Sequence, residues 1–297
     1  MPVQLPTQGM PVAKLVRRMV PRKERDGTPA SSFRPSSLRR VSSPDERREG
    51  LKALFHEARG CVRCPQLAQT RQTVVFGAGH ADADLMFVGE APGRNEDEQG
   101  LPFVGQAGRL LDTLLGEIGL SRDAVFVTNV LRCRPPGNRD PHPVEIERCQ
   151  DYLFRTIDLV QPTVICTLGN FATKLLRHDT TGIMRLHGQA EVRTVGPRAV
   201  RLFPVFHPAA ALYTPANVDV LRQDFQRLPA LLALGPPEQP PPLVEEPLVD
   251  VDAGEPAGMA DGERGETPER EKRERDADAD AGGGDEAEPA AVQLGLF

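Results

Sequence analysis

The sequence predicts an α/β fold: a mostly parallel sheet covered by helices on both faces. Three observations predict it. Short apolar runs of strand length alternate with stretches of helical periodicity. Charge divides the 297 residues into a basic head (1–50, net +6), a near-neutral body (51–235, net +1) and an acidic tail (236–297, net −13), and the body alone is long enough for one substantial core. The unusual polar residues fall where the strand runs end, which is where ligands bind in open α/β sheets.

In chain order, Leu51 to Arg59 has a helical pattern that stops at Gly60. Asp84-Leu85-Met86-Phe87-Val88 is a strand feeding a loop at Gly89. Leu110, Leu111, Leu114, Leu115 and Ile118 repeat at helical spacing, and Gly119 closes that helix. Val125–Thr128 reads as a strand. Pro143 opens a helix that runs to Val160, with Glu145 and Glu147 at the positive end of its dipole. Thr163–Leu168 is a strand and Asn170–Leu176 a helix. Val200–Phe206 is another strand, and Val218–Leu234 is expected to be one last helix.

The head carries Arg17-Arg18, Arg22-Lys23, Arg39-Arg40 and Arg47-Arg48 among Pro and Ser, without apolar periodicity. It is expected to be disordered, and basic arms of this kind touch nucleic-acid phosphates. The tail opens with Pro236-Pro237 and Pro240-Pro241-Pro242 and continues as acidic low-complexity sequence, expected to be a disordered linker. The stretch after Met1 is broken by Pro2, Pro6 and Pro11 and has no apolar h-region, and no run of 18 apolar residues occurs. A cytoplasmic, monomeric protein with no membrane partner is expected.

Five cysteines occur. Cys166 lies in the apolar run Thr163–Leu168 and reads as a buried strand residue. Cys61 and Cys64 form a C-x2-C pair that can chelate from one turn, while Cys133 and Cys149 arrive from distant sequence. Structural disulfides are disfavoured in the cytoplasm. A four-cysteine metal site remains, and the spacing alone leaves tetrahedral zinc and an iron–sulfur cluster both open.

Four loops follow strand ends. Gly89-Glu90-Ala91-Pro92-Gly93 is tight and exposes backbone N–H groups, without the Gly-Lys-Ser/Thr of a P-loop. Gly100 to Gly105 holds Phe103 between Pro102 and a glycine, placed to offer its face to a flat ligand. Asn129, at a strand end, offers a donor and an acceptor suited to a nucleobase edge, and Arg132, Cys133, Arg134, Asn138 and Arg139 follow it. His207-Pro208 directly follows the last strand.

Together with the cysteines, the stretches GEAPGRNEDEQGLPFVGQAGRLLD, TNVLRCRPPGNRDP and FHPAAAL resemble the family 4 uracil-DNA glycosylases, over roughly Leu51 to Leu234. These are the iron–sulfur branch of the uracil-DNA glycosylase superfamily. The resemblance implies a three-layer α/β/α sandwich around a short, mostly parallel sheet. It implies a [4Fe–4S] cluster on Cys61, Cys64, Cys133 and Cys149 with a structural role, and an enzyme that removes uracil from DNA in base excision repair, leaving an abasic site. Gly89, Glu90 and Ala91 then belong to the loop that shapes the uracil pocket. Phe103 matches the residue stacking on uracil, and Asn129 the one reading its edge. His207 matches the catalytic donor near O2. Glu96 and Asn138, by the same resemblance, help place the water or the flipped nucleotide. Ala91 stands where the best-known family of the superfamily has a water-orienting aspartate, and His187 where members often carry arginine.

The final residues Gln293-Leu294-Gly295-Leu296-Phe297 resemble the peptide by which bacterial repair proteins dock into the sliding clamp. A linker of roughly 50 residues would tether the catalytic domain there at high effective concentration. Two rival readings are a non-catalytic metal-bearing DNA-binding protein, which has no need of Asn129, Phe103 and His207 together, and a sister glycosylase acting on other deaminated bases such as hypoxanthine.

Overall fold

The structure, a computed structural model, describes residues 43–241. Residues 1–42 of the head and 242–297 of the tail, with the Gln293–Phe297 peptide, lie outside the described residues. Six strands make one sheet: β1 Ala78–Gly79, β2 Leu85–Gly89, β3 Phe126–Asn129, β4 Val164–Leu168, β5 Glu191–Val195 and β6 Arg198–Val205. Their order is β1-β3-β2-β4-β6-β5. The inner four run parallel, and the two edge strands are antiparallel to their neighbours. Every residue of β2, β3 and β4 is buried, and their sequences are largely apolar, with Thr128, Asn129 and Thr167 the buried polar exceptions.

Successive residues of the inner strands feed two separate cores. Met86, Val88 and Ile165 pack with Leu51, Leu54, Leu153 and Ile157 on one face. Leu85, Phe87 and Cys166 pack with Leu111, Leu115, Leu221 and Phe225 on the other. The period-two side-chain alternation of the strands therefore builds three layers, an α/β/α sandwich as expected.

The helices are α1 Pro44–Arg59, α2 Pro65–Thr70, α3 Arg94–Gln99, α4 Gln106–Glu117, α5 Pro143–Val160, α6 Asn170–Arg177, α7 Ile183–Leu186, α8 Pro208–Tyr213, α9 Ala216–Phe225 and α10 Leu228–Ala233. α2, α3, α7 and α8 fall outside the expected elements, and two of the expected helices differ in extent or number. α1 begins at Pro44, well ahead of Leu51, because Ser43 and Glu46 form a capping box: the Ser43 Oγ accepts from the Glu46 N–H, and the Glu46 carboxylate accepts from the Ser43 N–H. A boundary at residue 50 thus falls inside a helix. The expected single helix over Val218–Leu234 is two, α9 and α10, because Pro229 has no N–H to continue the ladder. Among the described residues, no helix is long and apolar enough to cross a membrane.

Candidate uracil pocket and cysteine cavity

The parallel strands end along one edge of the sheet, and their loops enclose a cleft lined by Glu90 to Gly93, Glu96, Phe103, Asn129, Pro135, Asn138, Arg139 and His207. β2 and β3 finish in register, Gly89 opposite Asn129. The pairing continues into the loops, with the Val130 and Leu131 N–H groups donating to the Gly89 and Glu90 carbonyls.

Asn129 is 2% exposed, and its Oδ1 is buried without a hydrogen-bond partner. Leaving such an acceptor unmet costs about 1–3 kcal/mol. Its place in the cleft wall makes it a receptor for an N–H on a bound ligand. Gly89 allows this arrangement: a Cβ there would lie 2.4 Å from the Asn129 Oδ1 and 2.6 Å from the Phe103 Cζ.

Phe103 has φ +55°, a strained conformation for a bulky residue, so its surroundings must impose it. Arg122 donates to the Pro102 carbonyl and, at 3.0 Å, to the Phe103 carbonyl. Glu96 Oε1 accepts from the Val104 and Gly105 N–H groups at 3.0 and 2.9 Å, and Oε2 from the Gly93 N–H at 3.1 Å. Gly108 lets the loop fold close, since a Cβ there would lie 1.8 Å from the Phe103 carbonyl oxygen. The Phe103 ring stacks against His207 with centroids 5.7 Å apart. Glu96, expected near the chemistry, thus has both oxygens on backbone amides and joins two loops.

His207 precedes α8, and its Nδ1 accepts from the Ala209 N–H at 3.1 Å. An amide can only donate, so the ring proton sits on Nε2. Burial pushes the His207 pKa down to about 4, with Glu96 opposing the shift. The residue therefore presents a neutral N–H donor at physiological pH. Burial, then the nearby Asp140, pushes the Glu90 carboxyl up to about 7. Asn138, at φ +55°, accepts at Oδ1 from the Arg134 Nε at 2.7 Å. Arg139 is held by a two-pronged pair with Glu145 at 2.9 and 2.6 Å.

The family model described as the Uracil DNA glycosylase superfamily matches residues 76–229. The chain belongs to this superfamily. It is 44% identical to the Type-4 uracil-DNA glycosylase of Sulfurisphaera tokodaii over 185 residues, covering 61% of this chain and 84% of the relative. The enzyme of the same name from Archaeoglobus fulgidus is 43% identical, covering 61% and 92%, and that from Saccharolobus solfataricus 42%, covering 63% and 89%.

Cys61 and Cys64 precede the residues matched to the uracil DNA glycosylase superfamily, while Cys133 and Cys149 lie within them. All four line one further cavity: the first two on the turn between α1 and α2, Cys133 after β3, and Cys149 in α5. All are free thiols. Burial raises the pKa of Cys64 and Cys133, and pushes Cys149 up to about 11. Arg71 donates to the Cys133 sulfur at 3.2 Å, and the Arg132 N–H to the Cys149 sulfur at 3.4 Å. Among the described residues, no group of three or more His, Cys, Asp or Glu side chains is arranged to hold a single metal ion. The structure thus brings the expected pocket residues together at one cleft and the four cysteines together at another. Arg122 and Arg132 were not singled out for these roles from sequence. Nothing marks Arg122, and the only sign at Arg132 is its place next to Cys133.

Proposed function

We propose that this chain flips uracil out of DNA and hydrolyses its N-glycosidic bond, leaving an abasic site. The observation that carries the reading is the unpaired Asn129 Oδ1 in a cleft that also holds a stacking aromatic and a neutral histidine N–H. A flipped base costs a few kcal/mol in lost stacking and pairing, offset by its contacts in the pocket. Uracil N3–H donates to the Asn129 Oδ1, and the Asn129 Nδ2 donates to O4. Cytosine has an acceptor at N3 and a donor at position 4, so it would leave both Asn129 groups unmet. Phe103 stacks on the base. As the bond to the sugar breaks, negative charge grows on the uracil, and His207 Nε2–H donates to O2 without giving up its proton. Glu96 holds the Gly93 and Phe103 loops in place, and Asn138, with its oxygen on Arg134, acts through its amide NH2 on the flipped nucleotide or the water.

Cys61, Cys64, Cys133 and Cys149 hold a [4Fe–4S] cluster in this reading. Four thiols from three chain segments around one cavity support it. Desolvation raises the pKa of Cys64, Cys133 and Cys149, which makes their thiolates costly until a cation neutralises them. When bound, the cluster cross-links the turn between α1 and α2, the segment after β3, and α5. Gln293–Phe297 docks the monomeric, cytoplasmic enzyme to the bacterial sliding clamp, supported by the sequence of that peptide alone.

Uracil release from single- and double-stranded oligonucleotides tests the reading. Asn129→Ala and His207→Ala should each lose about 10²–10³ in rate. Excision at full speed in both variants would overturn it.

A further inference from the structure

Arg132 is the largest of the fully buried side chains; it lines the cysteine cavity and hydrogen-bonds Asn129, a residue of the pocket. Its backbone N–H donates to the Cys149 sulfur at 3.4 Å. Its guanidinium donates through Nη1 to the Thr128 hydroxyl and, at 2.7 Å, to the Asn129 carbonyl, and through Nη2 to the Thr156 hydroxyl at 3.1 Å. The Phe76 ring lies 5.2 Å from its central carbon. These side-chain partners are a carbonyl, two hydroxyls and a ring face, and none carries charge. The Nε is buried with no partner. A buried guanidinium met only by neutral groups is strongly unfavourable. Cys133 is the next residue and Cys149 is in contact, so the counter-charge can come from the cavity.

We propose that Arg132 is a positioning residue that couples the cysteine cage to uracil recognition. The thiolates of the loaded cage hold its charge in the interior, and its planar fork fixes the strand end that carries Asn129. This rests on the reading of Cys61, Cys64, Cys133 and Cys149 as cluster ligands. The fork matters because it grips the carbonyl of the reading residue itself. Thr128, its other partner at the strand end, also donates to the Phe76 carbonyl at 2.8 Å, so losing the fork frees the last two residues of β3 from one side. Thr156 donates to the Tyr152 carbonyl at 2.6 Å, and Tyr152 lines the cavity, so the same fork also reaches the helix that carries Cys149. The Asn129 Oδ1 must meet a single N–H of the base, and a displacement of its backbone is passed directly to that contact.

The test uses the purified cluster-loaded protein and three readouts: affinity for free uracil, reduction potential of the cluster, and affinity for undamaged single-stranded DNA. In Arg132→Met, uracil affinity should fall about tenfold or more, the size of losing a charged hydrogen bond to a buried group. The potential should move to more negative values, because a nearby positive charge favours the reduced cluster. Undamaged DNA should bind as before. Arg132→Lys keeps the charge and loses the fork, so its potential should stay near wild type while its uracil affinity falls. Uracil affinity within twofold of wild type in loaded Arg132→Met, or an unmoved potential, would overturn the proposal. If the methionine variant fails to fold or load, wild-type uracil affinity in Arg132→Lys overturns it, and reduced affinity supports it. Failure of the broader reading is distinct, since it appears in the wild-type protein as no uracil release or no bound iron.

Discussion

The two walls of the pocket are held in place by different means. The Phe103 wall is held by the chain itself: Arg122 grips two carbonyls, Glu96 gathers three amides, and Gly108 admits the fold-back. The Asn129 wall ends a short strand and rests on Arg132, whose charge finds neutral partners in its own protein and sulfurs next door. The Phe103 wall is therefore complete on folding, whereas the Asn129 wall, on the proposed reading, depends on what fills the neighbouring cavity. A strained backbone at one wall and a buried cation at the other are each sustained by surroundings that over-determine them.

Breaking the cage should have the largest effect. Cys149→Ser should lose bound iron and about 3 kcal/mol or more of stability, roughly 10 °C in Tm for a domain of this size. Thermal melting with iron quantification checks it, and a variant with full iron and wild-type Tm would contradict the cross-link. Gly89→Ala strikes both walls at once, because its methyl meets the Asn129 Oδ1 and Phe103 together. Excision should drop by about 10- to 100-fold, the equivalent of 1–3 kcal/mol of overpacking, with affinity for undamaged DNA kept. Arg122→Met releases the Phe103 wall alone. It strands two carbonyls, so about tenfold in uracil affinity should be lost, while the cluster potential stays where it is. A shifted potential in that variant would mean that the walls are not separately held.

The smallest effect is a pH dependence. Glu90 has its pKa raised to about 7 by burial and Asp140. A carboxyl raised on folding adds stability below its unfolded pKa of 4.5 and loses it as pH climbs through 7. Tm should therefore fall between about pH 4.5 and 7 and level off above that, by a modest amount because the group is partly open to water. Glu90→Gln should flatten that fall, and an identical slope in the variant would remove Glu90 as its source. His207 works in the opposite direction at lower pH. Its depressed pKa withdraws stability as pH drops from 6.5 toward 4, while its Nε2–H donor stays in place throughout the neutral range.

Strands β2 and β4 are legible in the sequence because burial on both faces selects largely apolar runs, and β3 and β6 through their apolar stretches Phe126-Val127 and Leu202–Val205. The edge strand β5 is not, since Glu191-Val192-Arg193-Thr194-Val195 is half solvated and alternates with charge. α3 is hidden for another reason. Arg94 to Gln99 holds no apolar residue and shows no period; it is fixed through Asp97, whose carboxylate accepts from the Gln72 and Thr73 amides. The break between α9 and α10 is written at Pro229, within a run of leucines that reads as one helix. At the site, motif resemblance points to Asn129, Phe103 and His207, and the structure brings them to one cleft. The task of Glu96 depends on amides eight and nine residues away, and that of Arg132 on groups from another helix, so neither follows from local sequence.

The lone Oδ1 of Asn129 rewards a departing guest as much as an arriving one. On the proposed reading, free uracil still offers the same N–H to the same oxygen once the sugar has let go, and water must replace it before the next lesion can enter. Turnover over many lesions should then be governed by the exit of the excised base, and free uracil in the medium should slow the enzyme without touching its grip on intact strands.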